Sequence, residues 1–243
     1  MNKYSVVSAY QKDVAILKRF NNEMYKLVLC RSLKRKGYEV GIKSAKGSVN
    51  DFKLDSNISR AKSKIKEYAL CNEFEYFVTL TIDKNKYDRM DLSTYYKDFG
   101  QFIRNYNRNH NTKVEYVFIP EHHQDGAWHM HGLIKGIPEK HLTINEHGYL
   151  DWFHYRDRFG YISLDVIRSQ AKVSNYITKY INKDMTSTIK ALNAKTYYCS
   201  KGLKTASEVK RGTLCDDSIP YDFENDYVKI KWFKTDNIAD FIK

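Results

Sequence analysis

Val114-Glu-Tyr-Val-Phe-Ile-Pro-Glu121-His-His-Gln-Asp-Gly126-Ala-Trp-His-Met-His131-Gly-Leu-Ile134 carries the fold in its pattern. Two runs rich in β-branched and aromatic residues flank Asp125-Gly126, a dipeptide that favours the tight turns of hairpins. A hairpin centred near Asp125 sets Glu121 opposite His129, and opposed residues share a face with Cβ atoms about 5 Å apart. Side chains alternate along a strand, so His129 and His131 project from one face and Met130 from the other. One carboxylate and two imidazoles therefore converge on one side of the hairpin. Such a set suits a divalent ion, Mg²⁺ or Mn²⁺, with water or phosphate completing the shell. A closed structural zinc site needs four ligands, often thiolates, and no Cys lies nearby. His122, His123 and Asp125 are alternatives to Glu121 from less fixed loop positions. The plain reading is a surface His pair, since eight histidines give roughly 0.3 His-x-His pairs by chance.

Working outward, Glu75–Ile82 alternates and is rich in strand formers. Asp91 then opens a helix carrying Leu92, Tyr95, Tyr96, Phe99, Phe102, Ile103 and Tyr106 at three-to-four spacing. Residues 160–166 read as a further strand, and Thr196–Cys199 and Tyr227–Phe233 as two more. Residues 57–72 read as a helix capped by Ser56 or Asn57, 37–56 as loop, and 9–31 as mixed helical periodicity. The order predicts an α+β domain: a central antiparallel β-sheet flanked by helices.

Ser169–Lys183 reads as a helix, and on it Tyr176, Lys179, Tyr180 and Lys183 fall on one face. Ile177 and Ile181, on an adjacent face, can anchor it to the sheet. A stripe of phenols and ammonium groups is more often amphipathic surface than chemistry. Its conjunction with a metal-competent hairpin is what singles it out.

The 243 residues carry 41 Lys+Arg against 29 Asp+Glu, with 42% hydrophobic and 14% aromatic content, which excludes disorder for most of the chain. No apolar run approaches the roughly 18–20 residues of a membrane span. The N-terminus lacks a signal-peptide apolar region, so a cytoplasmic protein is expected. Residues 1–70 hold 16 Lys+Arg and 6 Asp+Glu. Arg31, Lys34, Arg35 and Lys36, and Arg60, Lys62, Lys64 and Lys66, dominate that segment. It reads as a basic, helical arm that neutralises phosphates, or else as a solvated helix face. Cys30, Cys71, Cys199 and Cys215 form no CxxC pair; reduced thiols are expected, with Cys71 and Cys199 in the core.

His129-Met130-His131 resembles the His-hydrophobic-His motif of HUH endonucleases, the replication initiators of rolling-circle plasmids and single-stranded-DNA phages. Phe77-Val-Thr-Leu-Thr81 is similar to that family's first motif, and Tyr176-x-x-Lys179-Tyr180-x-x-Lys183 to its third, in the two-tyrosine form of phage gene A initiators. Glu121, eight residues before His129, matches the acidic third ligand of several branches. Tyr197–Leu203 also looks like a stretch of phage Rep proteins. The resemblance covers roughly 70–203. It implies an HUH catalytic domain over 71–203 between the arm of 1–70 and a C-terminal extension, 204–243, packed on it.

The resemblance further implies nicking and rejoining of single-stranded or hairpin origin DNA in a bacterial host cell. Tyr176 and Tyr180 would be nucleophiles giving a 5′-phosphotyrosine, Lys179 and Lys183 would favour phenolate, and Glu121, His129 and His131 would hold the metal. Thr79 and Thr81 join the basic residues as DNA contacts. Trp128, Tyr116 and Tyr161 are candidates for base stacking, though core packing is the commoner use of such residues. No G-x-x-x-x-G-K-[ST] phosphate loop is present, so a separate helicase and host replication proteins would be partners. Rival readings stay open: a metal-dependent nuclease without a covalent intermediate, a non-enzymatic basic nucleic-acid-binding module, and a single-tyrosine transposase.

Overall fold

The computed structural model describes residues 8–10, 14–30, 33–35, 51–123, 125–181, 195–225 and 228–243, with only the backbone for 8–10, 33–35 and 51–57. In chain order the first half holds β1 (Ser8–Tyr10), β2 (Val14–Asn21), β3 (Met24–Cys30), β4 (Leu33–Arg35), α1 (Asp51–Cys71), β5 (Tyr76–Thr81), α2 (Leu92–His110) and β6 (Glu115–His122). There follow β7 (Trp128–Lys135), β8 (Leu142–Ile144), β9 (Leu150–Trp152), α3 (Phe153–Phe159), β10 (Ile162–Val166) and α4 (Gln170–Tyr176). Last come β11 (Tyr198–Cys199), β12 (Ser207–Gly212), β13 (Phe223–Glu224) and β14 (Val228–Phe233). The chain is α+β and divides into two units, Val49–Lys204 and Met1–Ser48 with Thr205–Lys243.

Val49–Lys204 is built on a seven-stranded sheet of order β11-β6-β7-β5-β10-β9-β8, all pairs antiparallel. On one face lies α2, which begins where the Asp91 carboxylate accepts from the Thr94 amide at 3.1 Å. It ends where Asn111 turns left-handed. Its buried residues, Leu92, Tyr95, Phe99, Ile103 and Tyr106, keep the spacing read from the sequence and pack with Leu80, Phe118, Met130 and Trp152. Phe99 is fully buried, and its truncation to Ala should cost about 3–5 kcal/mol. On the other face Val117, Ile119 and Leu133 pack with Ile58, Ala61, Ile65 and Ala69 of α1 and with Ile177 and Ile181. Burial on both faces explains why β6 is apolar almost throughout rather than alternating.

Four expectations from the sequence change. Residues 14–30 are not helical but form the hairpin β2–β3, in which Ala15, Leu17, Tyr25, Leu27 and Leu29 are buried at a period of two. Ile16 and Val28 on the opposite face are apolar too, which blurs that alternation into an apparent helical pattern. Secondly, α1 starts at Asp51 rather than at a cap near Ser56, with Asp51 and Asp55 falling in its first turns, where the helix dipole favours acidic residues. The rest of the expected loop, 37–50, lies outside the described residues. Thirdly, residues 204–243 supply strands to the β2–β3 hairpin, giving a five-stranded sheet of order β12-β2-β3-β14-β13. The expected boundary at 70 moves to 48. Fourthly, residues 142–159, for which the sequence pattern predicts no element, hold β8, β9 and α3.

This division redistributes the charge. Val49–Lys204 carries 24 Lys+Arg and 18 Asp+Glu, the other unit 17 and 11, so each is +6. The basic cluster of 60–66 belongs to the unit that holds the histidines and tyrosines. Among the described residues no helix is long and apolar enough to cross a membrane.

Candidate active site

The hairpin β6–β7 has the register anticipated, Glu121 paired with His129. The Asp125 carboxylate accepts from the Ala127 amide at 3.0 Å, and Gly126 takes a φ of 82°, which favours glycine. On the far side of β7, β5 pairs Thr79 with His131 and Thr81 with His129. Alternation thus puts Glu121, His129, His131, Thr79 and Thr81 on one face, while Trp128 and Met130 enter the core on the other.

The carboxylate does not reach its direct partner. Glu121 Oε2 lies 2.9 Å from His131 Nε2, diagonally across the hairpin, and the Thr79 hydroxyl lies 3.1 Å from His131 Nδ1. Burial lowers the His131 pKa, against the opposing pull of Glu121. His129 sits with its ring centroid 6.2 Å from that of His131 and 3.5 Å from that of His123. Its Nδ1 is buried without a hydrogen-bond partner. Burial, with His123 and His131 beside it, pushes the His129 imidazole down to about 4, so it is neutral at neutral pH.

Two imidazoles and a carboxylate, one of them with an orphaned buried nitrogen, fit a divalent cation. Glu121, His129 and His131 would hold it, with Thr79 as the outer partner of His131. The three do not gather as tightly as His110, His141 and His154, whose donor atoms lie within 4.8 Å of one another. Of the alternatives to Glu121, His122 bonds the Gly126 carbonyl and Asp125 pairs with Arg89 at 3.3 Å.

The tyrosines arrive on α4, capped by Ser169, whose hydroxyl accepts from the Lys172 amide. After Tyr176 the helix tightens into a 3-10 turn, Ile177–Tyr180, shorter than the continuous helix expected over 169–183. Ile177 and Ile181 are fully buried and anchor it, as anticipated. The Tyr176 and Tyr180 hydroxyls lie 2.9 Å apart, and the Tyr180 ring stacks on His131 at 4.2 Å between centroids. Phe77 packs against His131, Tyr176 and Tyr180 together. Lys179 Nζ lies 5.6 Å from the Tyr176 ring centroid. Burial, then the bond to Tyr176 and the charge of Glu121, pushes the Tyr180 phenol well up, whereas Tyr176 is 44% exposed. Lys183 lies outside the described residues.

Two participants escape the sequence reading. Thr79, expected to contact DNA, holds a ring nitrogen of His131, and Phe77 forms the floor shared by both tyrosines. Their signal is the period-two spacing 77-79-81 on the strand beside the histidines.

Of the basic candidates, Arg60 and Lys62 are exposed on α1, Lys64 pairs with Glu67 at 2.7 Å, and Lys66 is half-buried with its ammonium pKa lowered by burial. Arg31 and Lys36 lie outside the described residues; Lys34 and Arg35 fall in β4. Trp128 and Tyr116 are core residues, which leaves Tyr161 exposed. All four cysteines are free; Cys71 and Cys199 are half-buried rather than fully in the core.

No curated protein and no solved structure matches this chain. Residues 75–185, the span that holds Glu121, both histidines and both tyrosines, match the family model of the replication-associated protein ORF2, which supports a Rep-type replication initiator and interaction with DNA.

Proposed function

We propose that this chain nicks and rejoins single-stranded DNA at a replication origin, as a rolling-circle initiator of the two-tyrosine HUH type. The observation that carries this reading is the pair of hydroxyls, Tyr176 and Tyr180, 2.9 Å apart beside the Glu121–His131 pair.

A divalent ion on Glu121, His129 and His131 supplies Lewis acidity at the scissile phosphate. The chain's own residues do the rest. A phenol is a weak nucleophile at neutral pH, so its attack needs help with the proton. Lys179, over the Tyr176 ring, favours phenolate and screens the approaching phosphate. The neighbouring Tyr180 hydroxyl donates a hydrogen bond to the phenolate as it forms. Attack by the Tyr176 oxygen forms a Tyr–O–P bond and breaks the P–O3′ bond, leaving a free 3′-OH. The phosphotyrosyl link keeps the phosphodiester energy, so rejoining by a 3′-OH needs no ATP. Tyr180 can then take part in a second transfer while Tyr176 still holds DNA. Phe77 keeps both rings against His131, which limits their search for the phosphate.

The test is a single-stranded oligonucleotide incubated with Mn²⁺ and the wild type, Tyr176→Phe, Tyr180→Phe or the double variant, resolved on a denaturing gel. A covalent adduct lost in the double variant is expected. An adduct that survives loss of both tyrosines overturns the assignment; cleavage without adduct indicates attack by water, and binding without cleavage a non-enzymatic module.

A further inference from the structure

Three histidines from separate parts of the chain meet beside α2, on the side of the sheet away from Tyr176 and Tyr180. His110 ends α2, His141 ends the 3-10 helix Glu139–His141, and His154 sits in the first turn of α3. One nitrogen of each lies within 4.8 Å of the other two. Ring centroids are 4.6 Å apart for His110–His141, 5.1 Å for His110–His154 and 4.6 Å for His141–His154. Packing alone leaves one of these rings unsatisfied, because His154 Nε2 is buried without a hydrogen-bond partner. The Tyr106 hydroxyl bonds Nδ1 of His141 and so orients that ring, as the outer partners of metal-bound imidazoles do. Burial and the neighbouring imidazoles hold His141 and His154 below the ordinary imidazole range, in the neutral form that ligation requires. A cavity of about 310 Å³, lined by Asn105, Tyr106, His110, His154 and Arg158 among others, opens beside the cluster.

We propose that His110, His141 and His154 form a second metal site, one of three nitrogen donors, which takes a zinc-class divalent cation with its fourth position open to that cavity. Three imidazoles with neither carboxylate nor thiolate select a borderline cation over Mg²⁺, which prefers oxygen. The ion ties the last turn of α2 to the segment that holds β8, β9 and α3.

The experiment uses the untagged full chain carrying Glu121→Ala, His129→Ala and His131→Ala, which removes the other candidate donors. It is dialysed against zinc chloride and its zinc content is measured. One retained equivalent and a zinc-dependent rise in melting temperature are expected, and both disappear when His110→Ala is added. His110 is exposed, so its truncation spares the core, and circular dichroism checks the fold. In the wild-type background the same substitution lowers the zinc stoichiometry by one. No zinc retained by the triple variant, or a stoichiometry unchanged by His110→Ala in either background, overturns the site.

Discussion

Thr79 and His131 face each other across β5 and β7 with the threonine hydroxyl 3.1 Å from Nδ1, while the other ring nitrogen meets Glu121 at 2.9 Å. The hydroxyl can serve either tautomer. It donates to Nδ1 when Nε2–H faces the carboxylate, and accepts from Nδ1–H when Nε2 presents its lone pair to a cation. The ring is therefore oriented before and after metal arrives, from a strand that contributes no ligand of its own.

Replacing that hydroxyl tests its positioning role. Thr79→Val keeps the shape and removes the bond, so the metal concentration for half-maximal adduct formation should rise about 10–100-fold. Thr79→Ser should restore it. A Val variant with unchanged metal dependence would assign Thr79 to DNA contact alone.

The two tyrosines are not equivalent. Tyr176 is exposed and lies beside Lys179, while Tyr180 is pushed up by burial and stacked on His131. Tyr176→Phe should abolish the first adduct, whereas Tyr180→Phe should retain it and lose transfer to a second oligonucleotide. Gel analysis of single and sequential transfers reads both, and the reverse pattern would exchange the roles.

Gly132 follows the two histidines where β7 runs between β5 and β6. A Cβ there would collide with the Val117 carbonyl oxygen and the Phe118 ring. Gly132→Ala should lower stability by about 1–3 kcal/mol through overpacking, seen as a reduced melting temperature. An unchanged melting temperature would mean that β6 can withdraw.

Thiol chemistry offers a check of packing under α1. Burial, aided by Glu67, pushes the Cys71 thiol up to about 12, while Cys215 is exposed. At pH 8 Cys71 should hold ~1000-fold less thiolate than an ordinary thiol and resist iodoacetamide. Mass mapping should find Cys215 labelled and Cys71 intact, and rapid labelling of Cys71 would place the end of α1 in solvent.

What is legible in the sequence is local. The β6–β7 hairpin and its register follow from one turn dipeptide and from alternation around it, and α2 from a single stripe of apolar residues. The β2–β3 hairpin is hidden because both its faces are partly apolar. The division into units is hidden because it rests on pairings such as Ile16 with Arg211, which no local pattern announces. The approach of Tyr180 to His131 is of the same kind. Periodicity places the tyrosines on one face of a helix but does not say which part of the sheet that face covers.

The sheet that unites β2 and β3 with β12 and β14 draws on both ends of the chain, whereas Val49–Lys204 is one uninterrupted stretch. A ribosome therefore delivers the whole histidine and tyrosine unit before the last strands of the other sheet exist. The hairpin β2–β3 must wait as an open two-stranded ribbon, marginal by itself, until residue 233 has been added. The inner unit is free to fold while its neighbour is still incomplete, and the order of synthesis gives the candidate catalytic machinery a head start over the sheet that closes around its two ends in sequence.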